Sequence, residues 1–511
     1  MSTLSPDAVQ AARPTRVRYG VLGFACTLSM ITYLDRVCFS SGQSALIDAL
    51  GLHDESDLKW AFTAFALAYS LFEVPSGWLG DVFGPRNVLL RIVLWWSVFT
   101  ALTGVVGYWA WNGWTFSLPL PWARPITLTV GWMAVLVLVR FVFGMGEAGA
   151  YPNITRALHN WFPMDERGFT QGCVWMSGRL MGGLTPIIWA VLVEGLGRTV
   201  TNAEGQQVYQ VWIHPLLPGW RWSFWLFGAI GAVWCVLFAR WFRNRPEEKP
   251  TVNAAELALI RVGGAESQAA HKGIPWGHIL RSRNLWALCL MYACQAYGWY
   301  FYITYLPRFL ESQYGIAKTD MLGAIYKGGP LWMGAVGCLT GGYLSDWFIR
   351  RTGNRRLGRK LFGLIAHAFT AVCFLLAPLA PTAFWFFVVI ASAGFFTDLA
   401  MGPAWAICQD IGRRYAAIVA GMMNMVGNLG GTLASWMSGY ILAQALAGHA
   451  AGLGSTVEEL SQVDKTAGLL QGYHLNFYIF AAVYLMGVVC WLLIDATQSV
   501  APEEAQGPAH Q

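Results

Sequence analysis

Charge is scarce in this chain. Only 12 % of its 511 residues are Asp, Glu, Lys or Arg, against 56 % hydrophobic residues that include 27 Trp and 29 Phe. A soluble globule of this length needs far more charge to cover its surface. All ten cysteines fall in apolar stretches and no Cys-x-x-Cys pair exists. That excludes an extracytoplasmic disulfide framework and a thiolate metal site. A phosphate loop of the Gly-x-x-x-x-Gly-Lys-Ser/Thr type is also missing, so coupling to ATP is not expected. No nucleic-acid motif accompanies the net charge of +6. The first 18 residues are polar, and the apolar run after them lacks a small-residue cleavage site, so it reads as an uncleaved first helix.

What is present is a series of long apolar runs. About a dozen segments each supply roughly 20 mostly apolar residues, the length that spans about 30 Å of hydrocarbon. They lie near 18–41, 59–79, 88–110, 127–157, 168–194, 221–243, 284–310, 322–345, 358–379, 382–409, 416–444 and 474–494. A bilayer admits only helices or closed barrels, and these runs are too long for barrel strands. The expectation is an all-α polytopic membrane protein with twelve transmembrane helices in two six-helix bundles. Twelve spans put both termini on one side. Of the 34 Lys and Arg, 23 fall on that side, 8 on the other, and Arg36, Arg140 and Arg179 lie inside spans. The bias makes the terminal side cytoplasmic. The expected organisation is a cytoplasmic tail (1–17), a first bundle (18–243), a hydrophilic cytoplasmic linker with a short surface helix (244–283), a second bundle (284–494) and a cytoplasmic tail (495–511). The location is the cell membrane, the inner membrane in a Gram-negative cell.

The halves echo each other. GWLGDVFGPRN (77–87) follows span two, and GYLSDWFIRRTGNRR (342–356) follows span eight. Both read Gly-x-Leu-x-Asp followed by basic residues. Parallel repeats of six helices mark transporters that rock around a site at mid-membrane. Glycine lets two helices approach, and the acid can accept from a helix N-terminus or a basic partner. Gly77, Asp81, Gly84, Arg86 and Asp346 are therefore a candidate conformational latch; the alternative is a plain tight turn.

Ionisable residues at bilayer depth are costly and mark function by default. Arg140 and Glu147 sit in GWMAVLVLVRFVFGMGEAGAYPN. Seven residues are two helical turns, so both side chains share a face with Cα atoms roughly 10 Å apart. A buried cation and a buried acid together suit an anion and a proton. Arg140 has Glu147 or Asp35 as possible partners. Asp35 and Arg36 are neighbours in span one that point about 100° apart. Arg179 lies in span five, before Gly182, Gly183 and Pro186, and its fork suits a carboxylate; a third buried cation hints at a diacid. Asp398 in span ten is either a neutralising partner, for Arg179 or for span seven, or a second proton site. Glu73 reads as a gate-side hydrogen-bonding group. Gln295 lies in the Tyr- and Trp-rich span seven, where Tyr297, Tyr302 and Tyr305 belong either to the site or to an interfacial belt. Asn424 and Asn428 share a face of span eleven and serve either substrate hydroxyls or helix association. His367 and His474 read as bundle residues.

Gly77-x-Leu79-x-Asp81-x-x-Gly84-x-Arg86 resembles the loop signature of the major facilitator superfamily, with Asn87 departing from a usual second basic residue. Tyr33-Leu34-Asp35-Arg36, the stretch from Arg140 through Glu147 to Pro152-Asn153, and Trp161-Phe162-Pro163 with Glu166-Arg167-Gly168 resemble its anion:cation symporter branch, over about residues 18–495. The resemblance implies substrate contact at Arg36 and Tyr69, and proton coupling at Glu147 with Asp35. Arg179 departs from it, since sugar-acid members often carry an uncharged polar residue there. The implied activity is proton-coupled symport of an organic anion, most readily a sugar acid such as a hexuronate, aldonate or aldarate. The expected substrate-binding set is Arg36, Tyr69, Arg140, Arg179, Gln295 and Asn424, and the proton-coupling set is Asp35, Glu147 and Asp398. Catalytic and metal-ligating residues are not expected. The chain is expected to be no enzyme, to need no cofactor beyond the coupling proton, to have the bilayer and a small anion as partners, to bind no nucleic acid and to be monomeric. The alternatives are exchange, symport of an aromatic acid or small dicarboxylate, and a non-transporting sensor on the same fold.

Overall fold

The computed structural model describes residues 13–52, 58–109, 111, 113–118, 126–201, 207–261, 274–316 and 321–501. All twelve expected spans are present as long helical segments. The first half holds span one (Arg18–Ser41), two (Lys59–Phe83), three (Pro85–Thr103), four (Trp132–Glu147 and Ala150–Trp161), five (Arg167–Trp189) and six (Trp220–Trp241). The second holds span seven (Arg283–Thr304 and Leu306–Tyr314), eight (Met321–Thr352), nine (Arg355–Leu376), ten (Ala383–Leu399 and Met401–Gly412), eleven (Ala416–Gly452) and twelve (Gln462–Leu493). By length and apolarity alone seven described helical stretches qualify as membrane-crossing, one of them, Ala383–Gly452, running through two spans. Spans two, three, seven and eight fall short of that measure because polar and charged residues, Trp or Tyr, and in spans two, seven and eight glycine, dilute them.

The halves are built alike. Span one packs on five, two on four and three on six; in the second half seven packs on eleven, eight on ten and nine on twelve. The halves meet through span two against eleven and span five against eight. These are equivalent pairs under the repeat, as the duplicated loop predicts.

Local chemistry sets the helix ends. Spans seven, nine, ten and twelve open on Ser282, Asn354, Thr382 and Ser461, each accepting from a backbone N–H three residues on. The Ser461 cap starts span twelve at Gln462, well before the 474 expected, and span eleven runs on to Gly452. Span four breaks after Glu147, where Ala148 turns extended and Gly149 adopts φ +84°. Asn153 Nδ2 staples the break by donating to the carbonyls of Gly149 (2.8 Å) and Ser76 in span two (3.1 Å).

Outside the twelve spans two loops carry short hairpins: Trp114–Leu118 (β1) pairs antiparallel with Ile126–Val130 (β2), and Leu196–Thr201 (β3) with Gln207–Ile213 (β4). These loop segments are rich in β-branched and aromatic residues, which favours strands. The linker carries two short helices, Ala254–Arg261 and Trp276–Arg281, where one was expected; residues 262–273 lie outside the described ones. The segment after span twelve folds back, with Val500 N–H donating to the Ile411 carbonyl (2.9 Å).

The linker is tied to the first half through one buried acid. Glu256, 0 % exposed, accepts from Thr15 Oγ1 (2.6 Å), from the N–H groups of Val17 and Arg18, and from Arg18 Nη1 (3.1 Å). It thus serves the unpaired N–H groups at the start of span one. Arg18 also forks onto Glu166 (3.0 and 3.1 Å). The face that carries these groups is called the basic face below.

The basic-residue bias predicts that Glu458→Cys, exposed between spans eleven and twelve, is labelled by a membrane-impermeant maleimide in intact cells. Glu248→Cys, exposed in the linker, should label only after permeabilisation; nine of the ten native cysteines are buried. The reverse pattern would overturn the orientation.

Candidate functional site

The interior charges gather where the breaks and glycines bring spans together. Arg36 Nε donates to Glu147 Oε1 at 2.7 Å, joining span one to the break in span four. The Glu147 side chain is 1 % exposed, whereas that of Arg36 is 26 % exposed. The Arg36 guanidinium lies 4.3 Å from the Tyr69 ring centroid and 5.5 Å from that of Phe65. Arg140 does share a helix with Glu147, but it is not the ion-pair partner. Its guanidinium is caged by the rings of Phe39 (4.1 Å), Phe143 (4.6 Å) and Phe65 (4.8 Å). Ring faces stabilise a cation without accepting its hydrogen bonds. The neighbouring helix brought a closer cation to Glu147 than two turns of its own helix did.

Asp35 is 3 % exposed, and among the described residues neither carboxylate oxygen has a hydrogen-bond partner. Glu147 Oε2, Arg36 Nη2 and Arg140 Nε are likewise buried without one. Buried polar atoms are almost always satisfied, so such a concentration calls for a proton, a water or a ligand.

A second group bridges the halves at similar depth. Arg179 in span five forks onto Asp398 in span ten, with Nε at 2.7 Å from Oδ2 and Nη2 at 3.0 Å from Oδ1. Its Nη1 donates to the Tyr33 hydroxyl (2.6 Å), and Trp299 of span seven lies against it at 4.3 Å. Asp398 is therefore the neutralising partner of Arg179. Nearby, Asn424 Nδ2 donates across the halves to Glu73 Oε1 (2.5 Å) and to Tyr69 Oη (3.3 Å), so Glu73 is engaged in a hydrogen bond between the halves. Asn428 bonds back to the Asn424 carbonyl. Gln295 does not join this group: its amide donates to the Thr397 carbonyl (2.9 Å) inside the second bundle. Tyr297 and Tyr302 are also buried in that bundle, in neither the site nor an interfacial belt, and Tyr305 donates to the Ser435 carbonyl. His367 accepts from Trp491 Nε1, a bundle role as expected.

Toward the basic face an aromatic layer closes the gap. Tyr151 stacks on Trp175 (4.3 Å, 9°), and Trp175 meets Trp405 of span ten at 5.0 Å. Trp405 Nε1 donates to Tyr292 Oη (3.3 Å), and Trp405 is fully buried.

Below that layer the duplicated loops do parallel work. Asp81 accepts from the N–H groups of Ala417 (3.2 Å) and Ile418 (2.8 Å), where span eleven begins. Asp346 accepts from Gly168 (3.1 Å) and Phe169 (2.6 Å), where span five begins. A helix N-terminus offers free N–H groups and the positive end of its dipole. Glycine is required beside each: a Cβ on Gly77 would meet the Ala417 carbonyl, and one on Gly342 the Gly168 carbonyl. Arg156 stands 3.6 Å from Asp81 and donates to the Arg413 carbonyl. Asp410 joins Arg167 (2.9 Å) and Arg359 (3.1 Å), and Arg359 also pairs with Asp346. Two of the expected latch residues belong elsewhere. Arg86 donates to the Ala239 and Phe242 carbonyls at the end of span six, within its own half. Gly84 serves the turn, at φ +83° against Asn244. Asp410, Arg156, Arg167, Arg359 and Tyr33 are residues the sequence reading missed as partners. Acid at the inner end of span ten, followed by Arg413-Arg414, was the available signal for Asp410.

Asp410→Ala should be severe, since it removes the carboxylate two buried guanidiniums share. A loss of about 3–5 kcal/mol is expected for breaking such a buried network, read as a large fall in Tm in detergent. Glu247→Ala removes only the exposed pair with Arg261 (3.2 Å) and should cost less than about 1 kcal/mol. Equal falls in Tm would refute the difference.

Known proteins agree with this architecture. The family model of the Major Facilitator Superfamily matches residues 25–435. A probable sulfoacetate transporter, SauU, of Cupriavidus necator is 31 % identical over 496 residues, covering 96 % of this chain and 97 % of that protein. A probable galactarate/D-glucarate transporter, GudP, of Escherichia coli is 27 % identical over 459 residues, covering 86 % and 91 %. Among solved structures, the proton:xylose symporter XylE superposes with a TM-score of 0.62 at 13 % identity, covering 92 % of this chain and 94 % of its own, which concerns the fold alone. With its duplicated six-helix halves, its paired loop motifs and a family match over most of its length, this chain belongs to the Major Facilitator Superfamily.

Proposed function

We propose that this protein carries an organic anion across the cell membrane together with a proton, by alternating access, with both termini in the cytoplasm. The relatives named as sulfoacetate, galactarate/D-glucarate and hexuronate transporters support an anionic substrate, with sugar acids and short sulfonates as the classes to test first.

One observation carries the reading: Arg36 remains partly open while its partner Glu147 is fully enclosed behind it. A guanidinium held by a carboxylate at 2.7 Å has its charge already balanced, so an incoming anion competes with Glu147. A proton on Glu147 ends that competition. The anion then takes the guanidinium, and the loaded site carries no extra charge through the low-dielectric interior. Asp35, whose oxygens have no hydrogen-bond partner among the described residues, is the relay acid beside it. Arg140, held by ring faces, keeps the local potential positive. Tyr69 of span two lies against Arg36, and Asn424 reaches Tyr69 from the second half.

The contacts between the halves support alternating access. The Asp81 and Asp346 contacts with helix N-termini hold the basic face shut, and opening toward the cytoplasm requires both to be released. The structure in this reading is the state closed to the cytoplasm.

Glu147→Gln tests the coupling. The variant should lose accumulation driven by an imposed pH gradient in proteoliposomes, at least tenfold, yet keep counterflow of labelled substrate. Normal gradient-driven accumulation would sink the proton-carrier role, and wild-type uptake that needs internal anion but no gradient would favour exchange.

A further inference from the structure

Spans five and ten run antiparallel between the halves and are joined by two ion-pair rungs. Arg167 pairs with Asp410 at the basic face, and Arg179 with Asp398 deeper in. Twelve residues separate the rungs on each span, about 18 Å of helix, and the Trp175–Trp405 contact lies between them. The outer rung has a clear mechanical setting, because Asp410 is shared with Arg359 and that residue with Asp346. The inner rung has no such network. Arg179 and Asp398 are 4 % and 2 % exposed, and each is the other's only ionic partner among the described residues.

A buried pair of this kind contributes little net stability, because the desolvation of both ions offsets their attraction. Its location is the more telling fact. It joins the two bodies that must move, at the depth of the Arg36–Glu147 pair. Tyr33 links the two groups: it lies one helical turn before Arg36 on span one, its ring fills the notch beside Gly178, and its hydroxyl accepts from Arg179. A ligand seated on Arg36 therefore has a second guanidinium within the same wall, reached past a hydroxyl. That guanidinium presents a planar fork already holding one carboxylate in a bidentate fashion, the geometry a second carboxylate or sulfonate would adopt.

We propose that the substrate is a dianion whose second anionic group replaces Asp398 on Arg179, so that this ion pair selects for two charges and holds the halves together until substrate arrives. The inference rests on the organic-anion reading above and adds to it the number of anionic groups and the residue that reads the second one. Arg179 supplies the positive end; Asp398 is a built-in competitor that occupies the fork in the empty state. A monoanion leaves the pair intact and gains nothing from Arg179. The dianion takes the fork as Asp398 takes up a proton, so each guanidinium ends with one anionic group of the substrate and one neutralised acid, Glu147 beside Arg36 and Asp398 beside Arg179; the charge balance of the interior is then kept while the bond between the halves is given up.

Matched probes separate one charge from two: sulfoacetate against isethionate, and D-glucarate against D-gluconate. Binding is measured on the purified full-length protein by titration calorimetry. The wild type should favour the dianion of at least one pair by tenfold or more. Asp398→Asn should tighten that dianion about tenfold by removing the competitor. The double variant Arg179→Gln, Asp398→Asn leaves a neutral hydrogen-bonding pair, which guards against a misfolded single variant. It should bind both members of the pair alike, with the monoanion unchanged within threefold. A double variant that keeps the dianion preference overturns the role of the ion pair and leaves the organic-anion reading standing. A wild type that binds monoanion and dianion equally overturns the dianion assignment alone. A wild type that binds none of the four probes overturns both.

Discussion

The cost of an ion out of water organises this molecule. Most interior charges have been met by something: a carboxylate for Arg36 and Arg179, ring faces for Arg140, helix N-termini for Asp81 and Asp346, with Asp35 the exception among the described residues. Such partners must come from different helices, because residues on one helix reach only their own turn-neighbours. Charge balance therefore knits the spans together, and it knits the two halves in particular. Asp81 reaches span eleven from span two, Asp346 reaches span five from span eight, and Arg179 reaches span ten from span five.

Those cross-half bonds differ in kind with depth. At the basic face they join acids to backbone N–H groups and to a network of arginines, over close approaches that glycine alone permits. At mid-depth they are a single forked ion pair and an amide on Glu73. Between the two levels the rings of Tyr151, Trp175 and Trp405 fill the gap with apolar area. A layered seam of this type can open from one end while the other holds, since no single bond spans its full height. The duplication of the halves gives the Asp81 contact a counterpart in the Asp346 contact, so the seam is symmetric at the basic face, whereas the mid-depth bonds differ between its two sides.

The twelve spans, the two halves and the repeated Gly-x-Leu-x-Asp loop were legible because each depends on local composition. Arg140 and Glu147 were legible as anomalies, since charge in an apolar run stands out. Their partnership was not: helical geometry put them on one face, and only packing placed Arg36 nearer. The helix-capping role of Asp81 was open from the repeat, but the span that it caps was not, because the Ala417 N–H group lies more than three hundred residues away. Span twelve began early because Ser461 and Asp464 form a cap that hydropathy does not register. The hairpins escaped notice for the same reason, as strand pairing depends on a partner segment brought alongside.

By itself the sequence determined that this is a helical membrane protein of two repeated halves with charge buried at mid-depth, because hydropathy, helical period and the scarcity of ions are properties of the chain. Tertiary structure alone decided which charge answers which. Ion pairing falls off within a few ångströms, and distances of that size between spans exist only once the helices have packed.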